Sequence, residues 1–277
     1  HNGQTVILSD DTILPGTEPC RLHLCYKTVD LYLYAAGIAM TIKKIEARGK
    51  LLLKSRLIER IVRGKKVVHI GCVDDHFEMI QYKKERGFYL HDIISATAAE
   101  CIGIDINEPL VRKLRDVYGI NNIAVANAEK LQDIHMEGIS REELLAKLAS
   151  FDTIMLPDLI EHLNNPGEML GGMKAIFGKD ARIYICTPNP FFISNFILTL
   201  FRREIYSPFH TFYFTTESMA VLLGRYGIRI VNTYPCFVPK IRSLPVRIAD
   251  RILLEVFCLL SKGFAENFMY ECVFDDS

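Results

Sequence analysis

The chain has 277 residues, of which 49% are hydrophobic and 24% charged, and its formal net charge is zero. That length suits one elaborated domain or at most two, and the composition excludes global disorder. Neutrality gives no reason to expect a nucleic-acid or acidic partner, so DNA is not expected.

Residues 1–30 hold one predicted strand, TVILS, and a turn-rich piece around Pro15, Gly16 and Pro19. Residues 31–63 read as mostly helical, with a break near Gly49. The predicted organisation is therefore an N-terminal extension over 1–63 and one domain over 64–277. Between Lys43 and Lys66 stand ten Lys or Arg against two acids, Glu46 and Glu59. This stretch reads as a solvated helix face, or as a basic apron for an anionic acceptor or membrane surface.

From Lys66 a rhythm sets in. KVVHIGC reads as a strand, HDIISATAAE as a helix, and CIGIDI as a strand of continuous apolar type. EPLVRKLRDVYG reads as a helix, with Pro109 in its first turn and Gly119 past its end. NIAVANA, FDTIMLPD, ARIYICTPN and IRIVNTYP continue as strands. SREELLAKLAS, GEMLGGMKAIFG and TTESMAVLLGRYG lie between them as helices. A loosely amphipathic apolar segment, Leu244–Leu260, forms a predicted helical insertion at about 240–263 before a last strand, NFMYECVF. That segment reads as core or self-association packing, a lid, or a membrane-surface contact. Strands alternating with helices predict an α/β, doubly wound, mostly parallel sheet. Right-handed crossovers put the C-terminal ends of the parallel strands on one edge, where ligands bind.

The eight cysteines include no CxxC pair, and most sit inside apolar runs. Scattered buried thiols predict a reducing, cytoplasmic setting and argue against a cysteine-based zinc site. The start of the sequence is polar and acidic, unlike a signal segment. Apolar stretches of about a dozen residues fall short of the about 20 that a spanning helix needs.

The strand-end residues carry the chemistry. After the first strand, Gly71-Cys72-Val73 lacks the second glycine of a GxG loop. Asp105 ends the second strand, where an acid can accept from both hydroxyls of a ribose, with Ile106 beside it; an acid there also reads as a helix cap. After the third strand, Asn127, Ala128 and Glu129 would wall an adenine, although Asn127 also reads as a turn asparagine. After the fourth strand, Pro157 precedes Asp158, Glu161 and His162, spaced 0, +3 and +4, which a helix would align on one face. Two carboxylates and an imidazole so aligned suit a divalent metal or a proton-transfer pair, or a plain surface pair. His210 stands between aromatics outside the sheet edge and reads as structural or functional.

In this order VVHIGC, CIGIDI, NIAVANAEKL, FDTIMLPDLIEHLNNPGEML, IYICTPN and HTFYFTTESMAVLLGRYGIRI resemble the class I S-adenosylmethionine-dependent methyltransferases, over about residues 60–235. More narrowly they are similar to the subgroup with an EHL-NPG motif, found in ubiquinone-pathway and polysaccharide-cluster enzymes. The resemblance implies a Rossmann-like fold and S-adenosylmethionine as cofactor. It places Gly71 at the methionine moiety, Asp105 on the ribose, Asn127 near the adenine, and Pro157 and Asp158 facing the sulfonium. Relatives with an E-x-x-E-H pattern bind a divalent cation, such as Mg2+, which here would fall to Asp158, Glu161, His162 and His210. S-adenosylmethionine has no pyrophosphate to cradle, so the loss of a loop glycine weighs against NAD chemistry rather than against a methyl donor.

The expected reaction is O-methylation of a small molecule or saccharide, in surface-polysaccharide biosynthesis by resemblance, with His162 or His210 as base and Glu161 beside them. Two alternatives are a non-catalytic methyltransferase-like binding protein and an RNA 2′-O-methyltransferase; neutral charge disfavours RNA. A peripheral membrane contact and a homo-oligomer are left open.

Overall fold

The computed structural model describes residues 47–204, 207–238 and 244–275, and before residue 47 only the backbone of short strands. Two compact units divide between Glu46 and Ala47. In the first, Thr5–Val6 pairs with Leu22–His23, while Tyr26–Lys27, Asp30–Ala35 and Ile38–Ile42 form a three-stranded antiparallel sheet. Strand therefore replaces the helix expected over much of 31–63. The stretch is rich in Tyr, Leu and Ile, and its Tyr-Leu alternation has the strand period of two, which outweighs its alanines. The turn around Pro15, Gly16 and Pro19, and most of TVILS, lie outside the described residues.

The second unit carries strands β1 (Leu52–Leu53), β2 (Lys66–Ile70), β3 (Glu100–Asp105), β4 (Ile123–Val125), β5 (Thr153–Pro157), β6 (Arg182–Pro188), β7 (Ile228–Phe237) and β8 (Asn267–Phe274). They form one sheet among the described residues, in the order β1-β7-β8-β6-β5-β2-β3-β4. All neighbours run parallel except β8, which is antiparallel to both β6 and β7. The helices are α1 (Lys54–Val62), α2 (Phe77–Glu85), α3 (Leu90–Thr97), α4 (Glu108–Tyr118), α5 (Arg141–Ala149), α6 (Pro166–Ile176), α7 (Ile193–Leu200), α8 (Thr216–Arg225) and α9 (Leu244–Leu260). The fold is a Rossmann-like, mostly parallel sheet with helices around it, as the alternating pattern predicts.

Alternation along the strands divides the core. Val68, Ile70, Ile102, Ile104, Leu156 and Ile185 face one side, against α5, α6 and α8. Val67, Met155 and Cys186 face the other, against Leu57, Ile58 and Val62 of α1 and Ile94 of α3. Buried on both faces, β2 and β5 are mostly apolar, with His69 and Thr153 as their buried polar members. Because α1 contributes to this core, it belongs to the second unit. The expected boundary at 63 accordingly moves to 46, ahead of α1. Helix α2 was not anticipated from the sequence: it buries Ile80 alone and has no apolar stripe to betray it.

Candidate active site

The loop after β2 is held at each of its three residues. Gly71 has φ +75°, donates its N–H to Ile104 O at 2.8 Å, and a Cβ there would come within 3.0 Å of Leu159 Cδ1. Only glycine suits both demands. The Tyr89 hydroxyl donates to Cys72 O at 2.8 Å. Val73 N–H donates to Asp105 Oδ2 at 2.8 Å, and Asn107 N–H to Asp105 Oδ1 at 2.9 Å. Asp105 thus splices the loop to the end of β3, one oxygen for each side. Burial pushes its carboxyl up, and the N–H groups of Asn107 and Val73 draw it back. Val73 spends its N–H on Asp105, so the loop presents no run of free amides to a pyrophosphate. The helix cap proper is Asn107, whose side chain accepts from Leu110 N–H at 3.2 Å.

A cavity of about 250 Å³ opens on this edge, lined among others by Gly71, Asp105, Ile106, Asn127, Ala128 and Glu129. Five of the seven residues expected at the cofactor line it. Pro157 and Asp158 do not: Pro157 is buried in β5, and Asp158 is drawn elsewhere. The side chain of Asn127 accepts from Glu129 N–H at 2.9 Å, so its carbonyl caps the turn that follows. Glu129 accepts from Asn164 and Asn165 N–H at 2.6 and 2.8 Å, tying that turn to the loop after His162. Leu159, Leu163 and Asn164 complete the wall and were not singled out from the sequence. Their signal lay in the motif that carries Glu161 and His162.

Asp158 does not open a helix. Its φ is +52°, a left-handed conformation that aspartate tolerates better than most residues. Only Ile160–His162 forms a short 3₁₀ turn. The expected single face therefore breaks up. The Asp158 carboxylate pairs with Lys54 Nζ, Glu161 turns inward, and His162 turns outward. Lys54 is the first residue of α1, and only 12% of its side chain is exposed. Burial disfavours its charge, but the Asp158 carboxylate overrides that and holds the ammonium well above its usual range. Leu57, Ile58 and Val62, buried at about 2 kcal/mol each, anchor the helix that presents it. A signal for Lys54 existed: it shares the apolar i, i+3, i+4 face with Leu57 and Ile58, where a solvated lysine does not belong.

Glu161 is 1% exposed, and neither of its oxygens has a hydrogen bond of normal geometry. Burial, then the neighbouring Asp158 carboxylate, pushes its pKa up to about 8, while the nearby Thr187 hydroxyl and Lys54 pull slightly the other way. The backbone of Glu161 anchors the 207–214 loop, its carbonyl accepting from Thr211 N–H at 2.8 Å and Phe212 N–H at 3.1 Å. This brings His210 to His162, with ring centroids 4.8 Å apart. His162 Nδ1 lies 3.0 Å from Phe209 O, an acceptor, so Nδ1 carries the hydrogen and Nε2 keeps its lone pair. His210 Nδ1 is buried without a partner, and burial and His162 lower the His210 pKa. One ligating atom from each of Glu161, His162 and His210 lies within 4.8 Å of the others. Asp158 stands outside this group. Orphaned buried acceptors beside a free imidazole lone pair fit a divalent cation. Two imidazoles with one carboxylate suit zinc better than magnesium. His162 also lines the cavity, so the two features share one residue.

A second cavity, of about 490 Å³, lies between α4 and the His135–Glu137 segment. Arg112 and Arg115 there are paired with Glu108 and Glu137.

Among solved structures, the fold is similar to an S-adenosylmethionine-dependent methyltransferase from Archaeoglobus fulgidus, at 21% identity and TM-score 0.44, covering 79% of this chain and 94% of that one. It is similar to magnesium protoporphyrin IX methyltransferase from Synechocystis PCC 6803, at 14% identity and TM-score 0.44, covering 79% and 82%. It is also similar to 1,6-didemethyltoxoflavin-N1-methyltransferase from Burkholderia thailandensis, at 14% identity and TM-score 0.44, covering 80% and 78%. No curated protein matches the sequence. A family model described as a methyltransferase domain matches residues 45–233, more than half of the chain. With that match and its Rossmann-like sheet, the chain belongs to the methyltransferase-domain family, the class I S-adenosylmethionine-dependent methyltransferases.

Proposed function

We propose that the protein transfers the methyl group of S-adenosylmethionine to a hydroxyl oxygen, with Glu161, His162 and His210 handling the acceptor. The observation that carries this reading is the unpartnered, buried Glu161 carboxyl beside two imidazoles, next to the Gly71–Asp105 cavity. In the proposed arrangement the ribose hydroxyls meet Asp105, the adenine lies along Ile106 and Ala128, and the methionine end passes Gly71 toward Leu159 and His162. The sulfonium methyl is already activated, so the chain has two tasks: to align the acceptor oxygen and to take its proton. His162 Nε2 suits the second task, since the Phe209 carbonyl fixes its tautomer. Lys54 holds Asp158 away from the acceptor. A divalent cation held by Glu161, His162 and His210 would be an alternative to this base: it would lower the pKa of an acceptor hydroxyl, and His162 would then serve as its ligand. The acceptor class, a saccharide, rests on the EHL-NPG resemblance alone.

Calorimetry with S-adenosylhomocysteine and, separately, with Zn2+ and Mn2+ tests the reading. We expect S-adenosylhomocysteine to bind to the native chain and to His162→Ala alike, within about twofold. Zn2+ or Mn2+ binding should weaken by at least tenfold in His162→Ala and His210→Ala, an increment of about 1.4 kcal/mol. No S-adenosylhomocysteine binding at about 1 mM, a Kd scale of only about 4 kcal/mol, would instead favour the non-catalytic reading. Cofactor binding without metal binding would remove the cation and leave His162 as base.

A further inference from the structure

The acceptor edge carries one more potential ligand than its cluster uses. Glu161, His162 and His210 each bring a ligating atom within 4.8 Å of the others. The Asp158 carboxylate flanks them. After burial, it is the main influence that pushes the Glu161 carboxyl up. At His210, where burial and then His162 lower the pKa, Asp158 pulls the other way. Yet Asp158 is not in the group, because its carboxylate pairs with Lys54. Its backbone is fixed as well, the N–H donating to Cys186 O at 2.8 Å. The side chain alone is left to turn toward the cluster, and the ammonium holds it back.

Lys54 is built into this position. Its side chain is 12% exposed, against 41% for its partner. It stands where β1 meets α1. Leu53 pairs in register with Phe237 of β7, and Leu57 and Ile58 are buried one turn further on. A cation so deeply set cannot exchange its carboxylate for water without a large loss. The pairing is therefore asymmetric: Lys54 needs Asp158 more than Asp158 needs Lys54.

The consequence lies in coordination. Zinc sites with three protein ligands keep a position open for water or substrate, whereas a fourth protein ligand closes the shell. Glu161, with both oxygens buried and unpartnered, and the two imidazoles supply three. Asp158 would be the fourth. An ammonium beside the group also opposes any dication that enters it.

We propose that Lys54 is a resident cation that withholds Asp158 from Glu161, His162 and His210, and so keeps a divalent-ion site there open to the acceptor. This rests on the cation alternative given above for the acceptor site. Lys54 is then a positioning residue, since it acts through Asp158.

Zn2+ calorimetry on the full chain tests this. Lys54→Met keeps the stem, removes the charge and frees the Asp158 carboxylate. Zn2+ should bind this variant at least about tenfold tighter than the native chain. Adding Asp158→Asn to Lys54→Met removes the freed ligand and should return the affinity to within about twofold of native. Neither residue lines the cofactor cavity. S-adenosylhomocysteine should therefore bind both variants within about twofold of native, which certifies their fold. A structural pair alone would lower stability and could not raise metal affinity. Unchanged or weaker Zn2+ binding by Lys54→Met would overturn the proposal and leave the three-ligand site standing. A gain that survives Asp158→Asn would overturn the withheld ligand, since the lost ammonium would then explain it. No Zn2+ binding by native chain or variant, with S-adenosylhomocysteine still bound, would remove the cation itself and this proposal with it.

Discussion

Asp105→Asn is the substitution that most sharply separates structure from ligand recognition. The carboxylate serves two N–H groups through different oxygens, Val73 on Oδ2 at 2.8 Å and Asn107 on Oδ1 at 2.9 Å. An amide has one oxygen, so in either orientation its NH₂ must face one of these donors. One nearly buried N–H then loses its acceptor, at a cost of about 1–3 kcal/mol in stability. In the proposed assignment a ribose hydroxyl also loses a charged acceptor, a bond of about 1.5–3 kcal/mol. That corresponds to roughly 10- to 100-fold in Kd for S-adenosylhomocysteine. Denaturant unfolding measures the first effect and calorimetry the second. A destabilised variant that binds S-adenosylhomocysteine within twofold of the native chain would refute the ribose assignment and leave Asp105 as a loop anchor only.

The Lys54–Asp158 pair predicts an asymmetry. Asp158→Asn keeps a residue suited to φ +52° but strands a largely buried ammonium, and should cost about 3 kcal/mol in denaturant melts. Lys54→Met keeps the packing of the stem and strands only a carboxylate that is 41% exposed, so about 1 kcal/mol or less is expected. Equal costs would mean that the pair is not organised by the burial of Lys54. The acid limb of stability should be steered by the buried imidazoles His69 and His91, whose Nδ1 atoms lie 3.3 Å apart. Burial lowers the His91 pKa to about 4 and pushes His69 in the same direction. The folded state therefore binds fewer protons than the unfolded chain between pH 6.5 and about 4. The contribution is fully present above pH 6.5 and is lost as pH falls, by about 3 kcal/mol for His91. His91→Gln should flatten this slope in pH-dependent melts; an unchanged slope would assign the acid limb to other groups.

The sequence by itself determined the sheet and its active edge. Apolar runs of strand length, separated by capped helices, dictate parallel crossovers, and these carry Gly71, Asp105 and Asn127 to one edge without any knowledge of packing. The motif after β5 announced chemistry by concentrating Asp158, Glu161 and His162. Their directions were decided only by tertiary contacts. The spacing rule assumed a helix, but the positive φ at Asp158 ended β5 differently and sent three neighbouring side chains three ways. Lys54 meets Asp158 across 104 positions, and His210 reaches His162 only because the Glu161 carbonyl holds the 207–214 loop. Asn127 reads equally as a binding or a capping residue until Glu129 N–H is seen to claim it. The strands in 31–42 were missed because a nearly continuous apolar run does not by itself tell a strand from a buried helix segment. Local pattern encodes periodicity and chain direction. Which polar group satisfies which is a matter of distance between remote segments, and it is decided when burial leaves each buried charge or dipole in need of a partner.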